Sequence, residues 1–447
     1  VPHAHPVQSH DAFGHGPVPA LLVTMIVLGF TARLICGAVL KADDASISRL
    51  PDQREYLDLA RNVLAGRGLQ FFDPRFGQSI YAGRAPLYPI FLAMCGANVH
   101  VARALQALID SSSIAAVWLL GRRWLRARAA LVAALFVAFN PFLIYFSALI
   151  LSETLFTALL VWGMALLQRR SLLPRVAALL MLGLGVLERP ETIALPALLA
   201  MAMPARSPAI RRRPYAAAAA TLLITFLLLL PWALRNRLDP SLHHWVFTST
   251  NRGITLYDGF NPSATGASDQ RFVQTMPQLR TMNEIGRNDY LSLQAGRFIA
   301  DHPARAVELT ILKVLRTWSP VPLSAEYRKS WLFMIAGIAY WLPLMAMTAA
   351  AVVGMILRPA PLSPLPDGHR GSNFSGGAAI YCLLPALYFT VVHGMSVGSL
   401  RYRVPADVPM AVVAASCVAA PISRRSRLSR RHQTTAGATP RPTRPAQ

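Results

Sequence analysis

Apolar residues run along this 447-residue chain in blocks of about twenty, separated by short basic stretches and by two long polar segments. A helix rises ~1.5 Å per residue and a bilayer core is ~30 Å thick, so such blocks predict membrane-crossing helices. Blocks at 18–40, 101–120, 215–234, 331–357, 378–397 and 404–420 each predict one crossing, and the longer apolar run 129–170 predicts two, turning near 146–153. Residues 176–203 are too short for two full spans, and the break Glu188-Arg189-Pro190-Glu191 predicts two short helices meeting there. The stretch 86–98 (PLYPIFLAMCGAN) would cover only ~20 Å as a helix, which predicts a re-entrant or interfacial piece. The fold class expected is an all-α polytopic membrane protein of about ten transmembrane helices, with extracytoplasmic amphipathic helices and loops.

Charge sets the expected orientation. The clusters GRRWLRAR (121–128), QRRSLLPR (168–175), ARSPAIRRR (205–213) and SRRSRLSRRH (423–432) contain no acid, and cytoplasmic loops keep such arginines. Placing all four inside leaves the loops 41–84 and 235–330 outside, where most of the 21 acids lie, and makes 1–17 and 421–447 cytoplasmic tails of disordered composition. The net charge of +23 is therefore spent on topology, and no nucleic acid partner is expected. Lysine is nearly absent (Lys41, Lys313, Lys329), a bias read as genome composition. Cys36, Cys95, Cys382 and Cys417 sit in apolar stretches without ligand spacing and read as packing residues; His3, His5, His10 and His15 fall in the Pro/Gly-rich leading tail.

The first external loop opens with LPDQREYLDLARNVLAGRGLQ (50–70). On a helical wheel Tyr56, Leu57, Leu59, Ala60, Val63 and Leu64 share one arc, with Arg54, Glu55, Asp58, Arg61 and Asn62 opposite, and Gly66 as the stop. About four turns with that moment predict a helix lying in the headgroup layer. Asp52 has two readings. With Glu55 three residues on it makes a capping box; held at the membrane surface, it is a general base for a hydroxyl acceptor. Asn caps as well as Asp but takes no proton, so Asp52→Asn separates the two.

Together with DQREYLDLARNVLAGRG, the fragments GRAPLYPIF, LIYFSALILSETLF, ERPE, PWALRN, GITLYDGFNPSATG and RYRVPADVP run in order across 52–409. In this the chain resembles the GT-C glycosyltransferases, in particular the bacterial branch similar to protein O-mannosyltransferases and aminoarabinose transferases. The resemblance implies an inverting transfer of a sugar from a polyprenyl-phosphate carrier to a hydroxyl of a glycolipid, polysaccharide or protein, on the extracytoplasmic face of a bacterial inner membrane, with 18–420 as the catalytic domain. It puts the family's first-loop acid on Asp52 and its aromatic position on Tyr56; where many members read D-E-x-x-Y, this chain has Gln53, which casts doubt on any role needing two adjacent carboxylates.

Phosphate is a good leaving group, so the chemistry needs one base and some positive charge, not the paired acids of glycoside hydrolysis. Arg84 in GRAPLYP, and Arg401 and Arg403 in RYRVP, are the expected donor-phosphate ligands, since guanidinium groups hold phosphate in a planar fork. Glu188, Arg189 and Glu191 are ionisable groups inside an apolar hairpin and are expected in the substrate cavity, as is Glu153 behind Ser152. Tyr257 and Asn261 belong to a turn-rich loop that the family places over the cavity. His243 and His244 follow PWALRN outside and are candidate ligands for a divalent metal, the one cofactor considered. The rival readings are a transporter or lipid flippase, for which acids near the midplane are expected, and a GT-C scaffold that binds lipid without catalysis.

Overall fold

The computed structural model describes residues 17–204, 214–323, 331–357 and 374–419. The basic stretches 205–213 and 423–432, and both expected tails apart from Pro17, lie outside them. The apolar blocks fold as helices close to their expected bounds: α1 (Pro17–Val39), α5 (Val99–Gly121), α6 (Ala127–Ala138) with α7 (Pro141–Ser147), α8 (Glu153–Leu167), α9 (Leu172–Glu188), α10 (Leu195–Met201), α11 (Pro214–Leu238), α16 (Trp331–Leu357), α17 (Gly376–Gly394) and α18 (Val404–Ser416). Between α1 and α5 come α2 (Asp44–Ser48), α3 (Pro51–Leu64), strands β1 (Phe71–Asp73) and β2 (Gln78–Ile80), and α4 (Leu87–Met94). Between α11 and α16 come α12 (Arg252–Gly259), α13 (Phe272–Thr275), α14 (Glu284–Asp301) and α15 (Pro303–Thr317).

Five helices, α1, α5, α11, α16 and α17, are long and apolar enough to cross a membrane, and the α6–α7 pair, bent by 50°, makes a sixth. Length and composition therefore support six crossings among the described residues, against about ten expected. The difference lies in α8, α9, α10 and α18, of 15, 17, 7 and 13 residues. Each starts or stops at a charged group: Glu153 opens α8, Glu188 closes α9, Glu191 lies in the turn before α10 and Arg403 caps α18. Pro190 cannot continue a helix, and the residue before a proline is pushed to extended backbone, as Arg189 is at φ −134°, ψ 93°. The expected break at ERPE follows from that one proline. As expected, α4 is too short to span, with eight residues or ~12 Å.

Buried along nearly its whole length, α18 is the axis of the bundle and packs against α5, α6, α8, α16 and α17. On the periphery, α1 is held by Arg33, whose Nε lies 2.5 Å from Asp110 Oδ2 on α5. Its other nitrogens donate to the carbonyls of Gly29, Val137 and Ala138, so this buried arginine is charge-paired and hydrogen-bonded at once.

The helix α3 departs from the expected start. Its N-cap is Leu50, with Pro51 in the first turn and no side-chain cap bond, so Asp52 is inside the helix and the capping box does not form. The buried face is Gln53, Tyr56, Leu57, Leu59 and Ala60, while Leu64 is exposed. Tyr56 meets Tyr88 of α4 edge-on at 4.9 Å. Gln53 joins this face because an amide can both give and take: Nε2 donates to Ile47 O (3.3 Å) and Oε1 accepts from Ile150 N (2.8 Å). The departure from D-E-x-x-Y thus packs α3 onto the α7–α8 turn.

Candidate active site

A cavity of about 1610 Å³ opens at one end of the bundle. Its walls come from 49–85, 142–152, 188–193, 244–289, 316–323, Phe333 and 392–402, the segments expected near or beyond the outer membrane surface. No residue of the basic loops 121–128 and 168–175 lines it. The two arginine clusters among the described residues thus contribute nothing to its walls.

Charged side chains of alternating sign cross the cavity. Arg84 Nη2 lies 2.5 Å from Asp52 Oδ1 and 2.5 Å from Glu55 Oε2, with its Nε 2.8 Å from the same Glu55 oxygen. Arg401 Nη1 donates to Asp52 Oδ2 at 2.8 Å, and Arg401 Nε donates to Glu153 Oε1. From there Arg189 Nη1 reaches Glu153 Oε1 at 3.4 Å and Arg189 Nε reaches Glu191 Oε1 at 2.8 Å. At the other end Arg75 Nη2 lies 3.5 Å from Glu55 and 2.7 Å from Asp73. Arg75, Arg189 and Arg401 each sit between acids from different elements and Arg84 bridges to two acids of α3, so the network fastens α3, the 71–80 hairpin, the lead into α4, α8, the α9–α10 break and the α17–α18 connection together.

Asp52 is the hub, with one guanidinium on each oxygen. Burial alone would raise its pKa, but Arg84 and Arg401 outweigh it and hold the carboxyl well below the usual carboxylate range. Both arginines are in turn held well above their ordinary value: burial opposes the charge, and the acids around them prevail. Tyr56, whose ring lies 5.4 Å from the Arg84 guanidinium carbon, is pushed up to about 12, chiefly by burial, and stays protonated.

The structure brings together most of the residues singled out from sequence. Asp52, Tyr56, Arg84, Glu188, Arg189, Glu191 and Arg401 line the cavity, and Glu153, 1% exposed, adjoins it through Arg401. Three expectations fail. Arg403 is fully buried on the other side of the tight turn Leu400–Tyr402, 3.8 Å from Asp407 and among the rings of Phe142, Trp318 and Trp341. Two positions along a 3₁₀ turn rotate a side chain well past half a circle, so Arg401 and Arg403 point apart. Tyr257 and Asn261 do not line the cavity: Tyr257 packs edge-on to Phe272, and Asn261 closes its own turn, donating to Tyr257 O (2.8 Å) and accepting from Ser263. The loop's contribution is Asp258, which accepts from Ser268 Oγ (2.6 Å) and Asp269 N (2.7 Å). As to metal, His244 lines the cavity and His243 does not, and no group of three His, Cys, Asp or Glu side chains forms among the described residues.

Sequence reasoning missed Glu55 as a site acid, Asp73 and Arg75 in the hairpin, Tyr402 and His393. Glu55 was visible on the polar arc of α3, one turn from Asp52; His393 carries no local signal, because only the return of the chain at Arg401 gives it neighbours. Backbone approach sets that return. A Cβ at Gly259 would lie 1.9 Å from Ser396 O, and one at Gly398 would lie 2.4 Å from Lys313 O, so only glycine lets α12, α15 and the segment leading to Arg401 meet.

Residues 86–232 match the family described as dolichyl-phosphate-mannose-protein mannosyltransferase. No curated protein sequence matches the chain. Among solved structures, the oligosaccharyltransferase AglB from Archaeoglobus fulgidus, in complex with an inhibitory peptide and a dolichol-phosphate, is similar at a TM-score of 0.54 and 15% identity, over 97% of this chain and 53% of that one. The apo form of the Archaeoglobus fulgidus enzyme gives 0.53 at 15% identity, over 95% and 53%. ArnT from Cupriavidus metallidurans gives 0.38 at 15% identity, over 90% and 78%. The chain spans about half the length of the oligosaccharyltransferase. The family model thus matches residues 86–232, the fold is similar to that of the oligosaccharyltransferase, and the helices long and apolar enough to cross a bilayer make the chain a multi-pass membrane protein.

Proposed function

We propose that the chain is an inverting glycosyltransferase that moves a sugar from a polyprenyl-phosphate carrier to a hydroxyl acceptor on the extracytoplasmic face of the membrane. The observation that carries this reading is Asp52, a carboxylate gripped by Arg84 and Arg401 at the mouth of a large cavity in a membrane bundle. The family match over 86–232 and the shared fold support the lipid-linked donor.

The reading follows from competition for the guanidinium groups. A carboxylate held by two arginines is a weak base. A donor phosphate is a second anion with the right geometry for the same forks, and it takes Arg84 and Arg401 in part from Asp52. The base then strengthens when the donor is in place, which ties proton removal to a loaded site. As the acceptor oxygen bonds to the anomeric carbon, its proton passes to Asp52; the bond to the carrier oxygen breaks, and its electrons stay on the phosphate, where the arginines meet the growing charge. Acceptors fitting this site are a glycolipid, a cell-wall polysaccharide or a protein, each offering a hydroxyl. The cavity acids sit near helix ends and in turns, Asp52 at the start of α3, Glu188 at the end of α9 and Glu191 in the turn after it, which disfavours a transport pathway through the middle of the bundle. Incubating purified protein with labelled polyprenyl-phosphate monosaccharides and an envelope extract tests the reading: sugar transfer with release of the carrier phosphate is expected, and its absence across the panel overturns it.

A further inference from the structure

Deep beside Arg189, the cavity carries hydrogen-bond acceptors with nothing to accept. Glu188 lines it, is 3% exposed, and neither carboxylate oxygen has a hydrogen-bond partner among the described residues. His393 also lines it and is 3% exposed, and its Nε2 is likewise without a partner. Arg189, next to Glu188 in the chain, links the two: its guanidinium carbon lies 5.4 Å from the ring of Tyr402, on which His393 stacks flat at 4.1 Å and 5°. Ser396 Oγ lies 3.1 Å from Val392 O and 3.3 Å from His393 Nδ1; when its proton goes to the carbonyl it accepts from Nδ1–H, and Nε2 then presents a bare lone pair.

Buried acceptors left unpaired are costly, and the arginines nearby are already committed: Arg189 to Glu153 and Glu191, Arg401 to Asp52 and Glu153. The missing partner is therefore a group that donates, and a hydroxyl, which both donates and accepts, also suits a buried carboxyl that keeps its own proton. An ionised phosphate has no proton to give, whereas a monosaccharide ring carries several hydroxyls. Resting on the transferase reading above, we infer that Glu188 and His393 seat the sugar ring of the donor by accepting hydrogen bonds from its hydroxyls, apart from the arginines that hold its phosphate. Glu188 and His393 are then the specificity-determining residues, and the site divides into an arginine part that reads the carrier and an acceptor part that reads the sugar.

The test compares binding of bare undecaprenyl phosphate with that of undecaprenyl phosphate carrying glucose, mannose, galactose or arabinose, using detergent-purified full chain. Glu188→Leu keeps volume without acceptors; His393→Phe keeps the stack on Tyr402 without the lone pair. Each is expected to cut the preference for the best loaded carrier over the bare one by about tenfold, the cost of one or two stranded hydrogen bonds, while affinity for the bare carrier stays within about twofold and certifies the fold. Glu188→Gln, which keeps one acceptor, is expected to fall between. An unchanged preference, or a parallel loss of both affinities, overturns the inference. If transfer then continues at the native rate, only the sugar seat falls; if the native protein prefers no loaded carrier, the transferase reading falls with it.

Discussion

At the scale of single residues, the proposal turns on how basic Asp52 is, and this gives two expectations of opposite sign. Asp52→Asn keeps an oxygen for one guanidinium but removes the proton acceptor and the negative charge. Turnover is expected to fall by about 10²–10⁴, the usual worth of a positioned base, whereas the donor KM falls or holds because Arg84 and Arg401 are freed for phosphate. Steady-state kinetics with a melting curve as control checks this; native turnover would remove Asp52 from the chemistry. The pH profile reports the neighbours. Arg84 and Arg401 hold the Asp52 carboxyl low, so in the native protein the acid limb of activity lies below that of a free carboxylate. Arg84→Gln removes one of the two cations, raises the Asp52 pKa, and shifts that limb to higher pH, besides weakening donor binding. An acid limb that moves down or stays put would mean that another group sets it.

At the scale of elements, how much was legible depended on whether the cause was local. The span 331–357 is helical throughout as its hydropathy predicts, and the break at ERPE followed from one proline, because hydropathy and backbone sterics act within a turn or two. The partner of Asp52 was less so: Arg401 lies 349 positions away, and nothing in RYRVP says which of its two arginines faces the cavity. The burial of Gln53 was hidden too, since its acceptor and donor come from α2 and from the α7–α8 turn. Lys313 on α15 is a further case. Its Nζ is buried 3.2 Å from the Phe260 ring centroid without a hydrogen-bond partner among the described residues, and burial lowers its pKa from 10.5 to about 7. Between those values the unfolded chain holds a proton that the folded chain has shed, so stability rises with pH across that window; below about 7 both forms are protonated and the burial penalty is full. Lys313→Met is accordingly expected to stabilise the protein by about 1–3 kcal/mol below neutral pH, with the gain shrinking as pH climbs towards the ordinary lysine value. Melting curves of the purified pair across pH measure it, and a gain that grows with pH would reverse the assignment.

At the scale of the whole molecule, the arginine clusters and the cavity make one statement about orientation. The loops 121–128 and 168–175 carry arginines without acids and contribute nothing to the cavity, while the cavity end gathers Asp52, Glu55, Asp73, Glu188 and Glu191. Cytoplasmic loops retain arginine, so the cavity is expected to open outward, where a carrier in the outer leaflet reaches it laterally. Cysteine labelling decides this. Cys36 and Cys417 are partly accessible, and Cys95 and Cys382 are buried, so all four are replaced by alanine before a single reporter is added. Arg54 on α3 and Arg126 before α6 both have exposed side chains, and the 23-residue helix α5 runs between their segments. With a membrane-impermeant maleimide on spheroplasts, Arg54→Cys is expected to label at once and Arg126→Cys only after the membrane is opened. The reverse pattern would put Asp52 and its arginines in the cytoplasm, where an outer-leaflet donor never arrives, and the extracytoplasmic transfer would have to be abandoned even with every side-chain contact in the cavity intact.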